Sequence, residues 1–99
     1  MTENRRRDER VSLNLPAKWV GFSGKHEARI EDVSLGGCFV NTPGRVDVGE
    51  IVGLEIKLPS GEWLPLRGKV VSYQEGIGFG VLFSFLTPKQ EQALRKLIA

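Results

Sequence analysis

The stretch Val11-Ser12-Leu13-Asn14-Leu15-Pro16-Ala17-Lys18-Trp19 alternates apolar and polar side chains without interruption. Successive side chains of a β-strand point to opposite faces, so this alternation predicts a strand with one buried and one solvated face. Pro16 cannot donate a backbone hydrogen bond, which indicates a sheet edge or the rim of a barrel at that position. The segment therefore indicates a β protein that begins with a half-buried strand.

Five further strand-like segments follow, separated by short turns that are rich in Gly and Pro. They cover approximately residues 28–34, 38–40, 52–58, 62–73 and 77–85. In the last of them, we expect one face to be lined by Ile77, Phe79, Val81, Phe83 and Phe85. Six short strands with tight connections predict a mainly β protein, namely a six-stranded antiparallel β-barrel.

The C-terminal segment changes from strand to helix periodicity. Thr87 is a good N-cap residue, Pro88 suits the first helical position, and Gln90 completes a capping box. Leu94, Leu97 and Ile98 then recur at helical spacing. We therefore predict a short α-helix that covers one end of the barrel.

The composition describes an ordinary small globular domain. The chain has 99 residues, 14 Lys and Arg against 12 Asp and Glu, and a net charge of +2, which is too small to indicate nucleic-acid binding by itself. Cys38 is the only cysteine, so we expect no intramolecular disulfide and no cysteine-based metal cluster. No long apolar run and no signal peptide are evident, which predicts a cytoplasmic protein without membrane insertion.

Positive charge is concentrated at the N-terminus, where Arg5, Arg6, Arg7 and Arg10 fall within six positions. Residues 1–10 contain no apolar side chain after Met1, so we expect a flexible arm that has nothing to bury until it meets a ligand. The predicted organisation is therefore an arginine-rich arm over residues 1–10 and one barrel domain over residues 11–99.

A second polar motif, Asp32-Val33-Ser34-Leu35-Gly36-Gly37, stands at the predicted end of the second strand. Asp32 and Ser34 are two residues apart and would share one face of a strand. A carboxylate can accept from guanine N–H groups, an arginine fork can meet phosphates or the O6/N7 edge of guanine, and glycine lets a ligand approach the backbone. The two motifs together suit a guanine nucleotide.

These motifs resemble the signature of the PilZ family, bacterial cytoplasmic receptors for cyclic di-GMP. Arg6 and Arg10 fit its RxxxR motif, and Asp32, Ser34 and Gly37 fit its [D/N]xSxxG motif. The late strand Gly78-Phe79-Gly80-Val81-Leu82-Phe83 and the C-terminal helix also follow the family's order. The resemblance implies a six-stranded barrel that binds cyclic di-GMP, has no other cofactor, and acts through an unidentified effector protein.

The resemblance also implies the site residues. Ligand contacts are expected from Arg6, Arg10, Asp32, Ser34 and Gly37. Additional contacts are expected from Arg5, Arg7, Gly36 and Tyr73, the last being the nearest match to an aromatic that some relatives carry late in their fifth strand. The alternatives to ligand binding are a solvated run of charges for the arginines and a turn-shaping role for Asp32, Ser34 and the glycines.

Other side chains suggest no chemistry. His26 is interpreted as a surface residue, Cys38 as a small buried hydrophobe, and Trp19, Trp63 and the phenylalanines mostly as core. We find neither a catalytic set nor a metal site, and an enzyme is the least favoured class. Two alternatives remain, namely a PilZ-fold interaction module that binds no nucleotide, and a small β-barrel for single-stranded nucleic acid, which the low net charge disfavours.

Overall fold

The computed structural model describes residues 10–99, which form a closed antiparallel barrel of six strands with one helix. The elements are β1 (Val11–Gly21), β2 (Gly24–Val33), β3 (Gly37–Asn41), β4 (Ile51–Lys57), β5 (Trp63–Gln74), β6 (Gly78–Phe83) and α1 (Pro88–Ile98). Around the barrel the strands follow the order β1-β2-β3-β6-β5-β4, and β1 pairs with β4 to close it. The predicted six-stranded barrel with a C-terminal helix is confirmed.

The interior of the barrel is filled by alternate residues of each strand. In β4 the side chains of Val52, Leu54 and Ile56 are buried while their neighbours face solvent. Trp19 and Phe79 are the largest fully buried side chains, and their rings meet edge to face with centroids 5.0 Å apart. These side chains belong to the single apolar core that fills the barrel.

Helix α1 covers one opening. Thr87 and Gln90 form the predicted capping box, with Pro88 at the first position of the helix. Leu94 is fully buried in the barrel core, and the Gln90 side-chain amide donates to the Pro65 carbonyl at 2.8 Å. No helix within residues 10–99 is long and apolar enough to cross a membrane.

The antiparallel order sorts the connections to two ends of the barrel. The loop end carries the β1–β2, β3–β4 and β5–β6 connections, at residues 22–23, 42–50 and 75–77. The helix end carries Arg10, the β2–β3 turn, the β4–β5 turn and α1. The Asp32 motif therefore lies at the helix end, beside the start of β1.

Two expectations were wrong, namely that one face of the last strand is lined from Ile77 to Phe85, and that the phenylalanines are mostly core, which fails for Phe22 and Phe85. β6 ends at Phe83. After one further backbone bond to β5, from Ser84 N–H to the Arg67 carbonyl, the chain turns toward α1 with Phe85 at φ 49°. Phe85 is 96% exposed, and Ile77 lies in the turn before β6, so neither extends the buried face of that strand. Phe22, in the β1–β2 turn, is also exposed.

Candidate functional site

An ion pair joins the start of β1 to the end of β2. Arg10 Nη1 donates to Asp32 Oδ1 at 2.7 Å, because the antiparallel register places Val11 opposite Val33 and Ser12 opposite Asp32. The Arg10 side chain is 54% exposed and the Asp32 side chain 34% exposed. One arginine and one acid of the two sequence motifs are therefore brought together at the surface.

Two β-bulges turn Asp32 outward. In the pairing with β3, Ile30 lies opposite Val40 and Asp32 opposite Phe39, which leaves Glu31 as the extra residue. Ile30 and Val33 both point into the core, although an uninterrupted strand would place them on opposite faces. In β1, a matching irregularity lies between Ser12 and Leu15. The bulges in β1 and β2 therefore account for the break in the alternation of β2 at Asp32.

Ser34 lies in the turn that follows β2 and is buried rather than beside Asp32 on one face. Its hydroxyl accepts hydrogen bonds from the backbone N–H groups of Gly36 and Gly37, at 3.1 and 3.2 Å, and donates to the Gly37 carbonyl at 3.3 Å. The turn is fastened to β6, because Phe83 N–H donates to the Gly36 carbonyl at 2.8 Å. In the structure, Ser34 therefore shapes the turn next to Asp32.

The two glycines of this turn differ in their surroundings. A Cβ at Gly37 would lie 2.0 Å from the Val81 carbonyl oxygen, so β6 approaches too closely for any side chain. A Cβ at Gly36 would meet only the Ser34 hydroxyl, at 3.9 Å. Gly37 thus permits strand packing, while Gly36 leaves the outer side of the turn open.

A shallow polar cleft of about 510 Å³ extends from Asp32 across β1, β2 and β3. Arg29 lines it, with Nε 2.5 Å from Asn14 Oδ1 and Nη2 3.2 Å from the Asn14 carbonyl. On the other side, the Asn41 amide donates to Glu31 at 2.8 Å. Sequence reasoning missed Arg29 and Asn41, because only the bulged register reveals that they share a cleft with Asp32.

Cys38 lies beneath this region, and its thiol is unreactive. The thiol is fully buried, and its pKa is raised from 9.0 to about 12, mainly by burial and secondarily by the nearby Asp32 carboxylate, with Arg10 opposing the rise. A thiolate is the reactive form, so the neutral Cys38 thiol offers neither a nucleophile nor a soft metal ligand. The expectation that Cys38 is a small buried hydrophobe is confirmed.

Tyr73 is not brought to the Asp32 cleft. It pairs with Phe79 and lines a different cleft of about 560 Å³ at the loop end, together with Phe22, Val48 and Glu50. The two clefts share no lining residue. Within the described part of the chain, the buried Tyr73 hydroxyl has no hydrogen-bond partner.

The remaining predicted contacts, Arg5, Arg6 and Arg7, belong to residues 1–9 and lie outside the described residues. Across residues 10–99, no group of three His, Cys, Asp or Glu side chains is placed to hold a metal ion. The site that the structure shows is therefore an open polar cleft at the helix end, with Arg29, Glu31 and Asp32 as its charged lining and Arg10 paired with Asp32 beside it.

A closed six-stranded barrel with a helix over one end and an open polar cleft at its rim is the architecture of this domain. The PilZ domain model matches residues 4–99, and the chain belongs to the PilZ family. No protein with a curated function matches the chain significantly.

Solved structures share the fold. The PilZ domain of CeSA from a cellulose-synthesizing bacterium has a TM-score of 0.71 and 22% identity, over 92% of this chain and 95% of that one. The PilZ domain with c-di-GMP of YcgR from Escherichia coli has a TM-score of 0.78 and 18% identity, over 95% and 88%. The Bacillus subtilis inhibitor of motility has a TM-score of 0.76 and 19% identity over 90% of this chain, which covers only 46% of that protein.

Proposed function

We propose that this chain is a cytoplasmic binding module for cyclic di-GMP, which acts through a protein partner and performs no catalysis. The observation that carries the proposal is the pairing of Arg10 with Asp32 beside the Ser34–Gly37 turn, on a barrel of the PilZ family. The c-di-GMP complexes of the structurally similar YcgR and Borreliella burgdorferi PlzA proteins support the choice of ligand.

A ligand can replace the contact between Arg10 and Asp32 with its own contacts to each of the two side chains. Exposed ion pairs contribute only about 0–1 kcal/mol, so separating the two side chains costs little. Arg10 has further N–H donors for a phosphate or the O6/N7 edge of guanine, and it can stack on a purine. Asp32, once released, can accept from the guanine N–H groups.

The cleft supplies a second cation. Asn14 fixes the Arg29 guanidinium through two hydrogen bonds, which leaves the other N–H groups of Arg29 for a phosphate. Asn41 adds an amide that can donate to the ligand or accept from it. We include Arg29 and Asn41 in the site alongside Arg10 and Asp32, with the Gly36 side of the turn open to the ligand.

The arm completes the proposed site. Arg6 would act with Arg10 as the second arginine of the RxxxR motif, and Arg5 and Arg7 would add phosphate contacts. Ligand bound between arm and barrel would present a composite surface of arginines, nucleotide and barrel, which a partner can recognise. Ser34 and Gly37 would contribute by holding the turn in position.

Calorimetric titration of cyclic di-GMP into the purified chain tests this proposal. We expect saturable binding, and far weaker binding of cyclic di-AMP, because adenine lacks the guanine N–H groups that Asp32 would accept from. Equal affinity for both dinucleotides would show that only phosphate charge is recognised. No binding of either would leave the interaction module that binds no nucleotide as the better description.

The role of Asp32 is tested by two substitutions. Asp32→Asn should weaken cyclic di-GMP binding less than Asp32→Ala, because an amide oxygen still accepts a hydrogen bond. Urea unfolding of both variants serves as the control for the fold. If Asp32→Ala binds as well as Asp32→Asn, or better, the side chain does not contact the guanine.

A further inference from the structure

Gly53 has no explanation in the fold. It lies in the middle of β4, where glycine weakens a strand because it packs no side chain and loses more conformational entropy than other residues. Its φ is not in the left-handed region, and a Cβ built on it meets nothing within 4 Å. Any small or medium side chain would fit, so the absence of one calls for a reason outside the barrel.

The outer face above Gly53 is concave. A hollow of about 700 Å³ runs across β2, β1, β4 and β5 at this level, and Gly53 forms part of its floor. Val20 of β1 and Arg67 of β5 are the cross-strand partners of Gly53, one on each side. We call this hollow, with the apolar side chains beside it, the Gly53 groove.

Exposed apolar side chains border the groove toward the loop end. Val20, Ile51 and Phe22 are 48%, 54% and 90% exposed. Phe22 N–H donates at 2.7 Å to the carboxylate of Glu50, the residue before Ile51, which fastens the β1–β2 turn to the start of β4. The Phe22 side chain itself lines the loop-end cleft. Burying these side chains against a partner would remove a contiguous apolar area from water.

Val20, Gly53 and Ile51 each have a cation as a cross-strand neighbour. Lys25 pairs with Val20, Arg67 with Gly53, and Lys69 with Ile51. Within residues 10–99 none of these three cations takes part in a salt bridge. The rungs of the sheet at Gly53 and Ile51 thus present an apolar centre with a positive rim and no acidic side chain.

We propose that the Gly53 groove binds a segment of a partner protein that carries an apolar side chain flanked by acidic residues. The apolar side chain would occupy the space above Gly53, and its acidic neighbours would meet Arg67 and Lys69. A flat anionic membrane fits less well, since the groove is concave. Glu27 and Glu55 line its far side, so the acidic residues of the segment would lie on the side of Arg67 and Lys69. The Gly53 groove shares no lining residue with the Asp32 cleft, so the proposal is separate from the proposed cyclic di-GMP site.

Panning a phage-displayed library of random 12-residue peptides against the full chain tests the proposal without knowledge of the natural partner. We expect the enriched peptides to share an apolar residue flanked by Asp or Glu. The best peptide is then synthesised with a fluorophore, and its affinity is measured by fluorescence anisotropy. Vesicles of pure phosphatidylcholine and of phosphatidylcholine with phosphatidylglycerol form a second arm.

Two variants should each weaken the peptide at least tenfold. Gly53→Leu fills the groove, and Arg67→Glu with Lys69→Glu reverses two charges of its rim. Their matched controls are Gln74→Leu, which adds a leucine at an exposed position of β5, and Lys89→Glu with Lys96→Glu, which makes the same charge change on α1. Both controls should bind within twofold of the unmodified chain.

The thermal unfolding of each variant is measured to check that it folds. If Gly53→Leu does not fold, the charge reversal still tests the proposal. Failure to enrich any peptide, enrichment of basic peptides, or peptides that bind both groove variants as well as the unmodified chain would overturn the proposal. Binding to the anionic vesicles that Gly53→Leu or the charge reversal abolishes would assign the groove to a membrane surface instead, and would overturn it equally.

Discussion

At the scale of single residues, Arg10 and Asp32 are joined by one charge-assisted hydrogen bond in a setting that solvent reaches from both sides. Such a pair is weak as a fold-stabilising contact, because water screens it and two long side chains lose freedom to form it. The same pair in contact with a ligand would be partly desolvated and worth more. Stability and binding should therefore respond differently to its removal.

Arg10→Ala should lower the free energy of unfolding by less than about 1 kcal/mol, because the ion pair is exposed. It should nevertheless weaken cyclic di-GMP binding about 10- to 150-fold, which corresponds to the loss of one charge-assisted hydrogen bond. Arg10→Lys should recover little affinity, since an ammonium cannot form a planar fork. Calorimetry and urea unfolding measure the two quantities, and affinity within threefold of the unmodified chain would exclude Arg10 from the site.

Cys38 gives the fold a pH dependence in the alkaline range. The unfolded thiol loses its proton above about 9.0, while the folded thiol keeps it until about 12, so the folded state binds more protons between these values. Stability must then fall as pH rises, by up to about 1.4 kcal/mol per pH unit for one group. Comparison with Cys38→Ala isolates the contribution of the thiol, because every other ionisable group is common to the two proteins.

The difference in unfolding free energy between the unmodified chain and Cys38→Ala should shrink by about 1.4 kcal/mol from pH 8 to pH 10. Urea unfolding at the two pH values measures it. A difference that stays constant would mean that the Cys38 thiol ionises in the folded state as easily as in the unfolded one.

At the scale of elements, the turn between β2 and β3 is held from two directions. The Ser34 hydroxyl ties it internally, and the bond from Phe83 N–H to the Gly36 carbonyl fastens it to β6. Gly37 allows β6 to come close enough for this arrangement. The position of Asp32 relative to Arg10 thus depends on a strand that is distant in sequence.

Gly37→Ala and Gly36→Ala form a matched pair for this turn. The first should cost about 3 kcal/mol or more, because its methyl group would overlap the Val81 carbonyl. The second should change stability by less than about 1 kcal/mol, since its methyl group meets open space. Thermal and urea unfolding give the comparison, and equal effects would contradict the close approach of β6.

Alternation and capping were sufficient to predict the six strands and the helix, because both depend on neighbours along the chain. The bulge at Glu31 could not be predicted, since it depends on how β2 pairs with β3. The same holds for the face that Tyr73 occupies, which depends on a register shift in β5 between Val70 and Ser72, whereas its location at the loop end follows from the direction of β5. For the candidate site, sequence motifs indicated Arg10 and Asp32, whereas Arg29 and Asn41 emerge only from that pairing.

At the scale of the whole molecule, the Asp32 cleft and Arg10, the last residue of the predicted arm, lie at the helix end, while the strands form a closed wall. Ligand held between the two would add order next to the barrel without changing the barrel itself. Backbone ordering costs about 1–2 kcal/mol per residue, so charged contacts must offset a considerable loss of entropy.

Cyclic di-GMP should slow amide hydrogen exchange in residues 5–11, while strands around Leu54 and Val81 change little because they already lie in the barrel core. Hydrogen-exchange mass spectrometry at zero and saturating ligand measures both regions. Arg10→Ala at the same ligand concentration serves as a control and should show a smaller effect. Protection spread through β4 and β6, or none in residues 5–11, would refute ordering of the arm.

The placement of the chain connections at two ends of the barrel also determines where a tag, a fusion protein or a sensor surface can be attached without covering the Asp32 cleft. α1 packs at the helix end, so an affinity tag or a fluorescent protein fused after Ala99 is anchored on that side. A sensor surface coupled through such a tag would stand close to the Asp32 cleft and could obstruct it. Coupling through a new cysteine at Gln74, near the loop end, would leave the cleft facing the solution, and the buried Cys38 would not compete for the reagent.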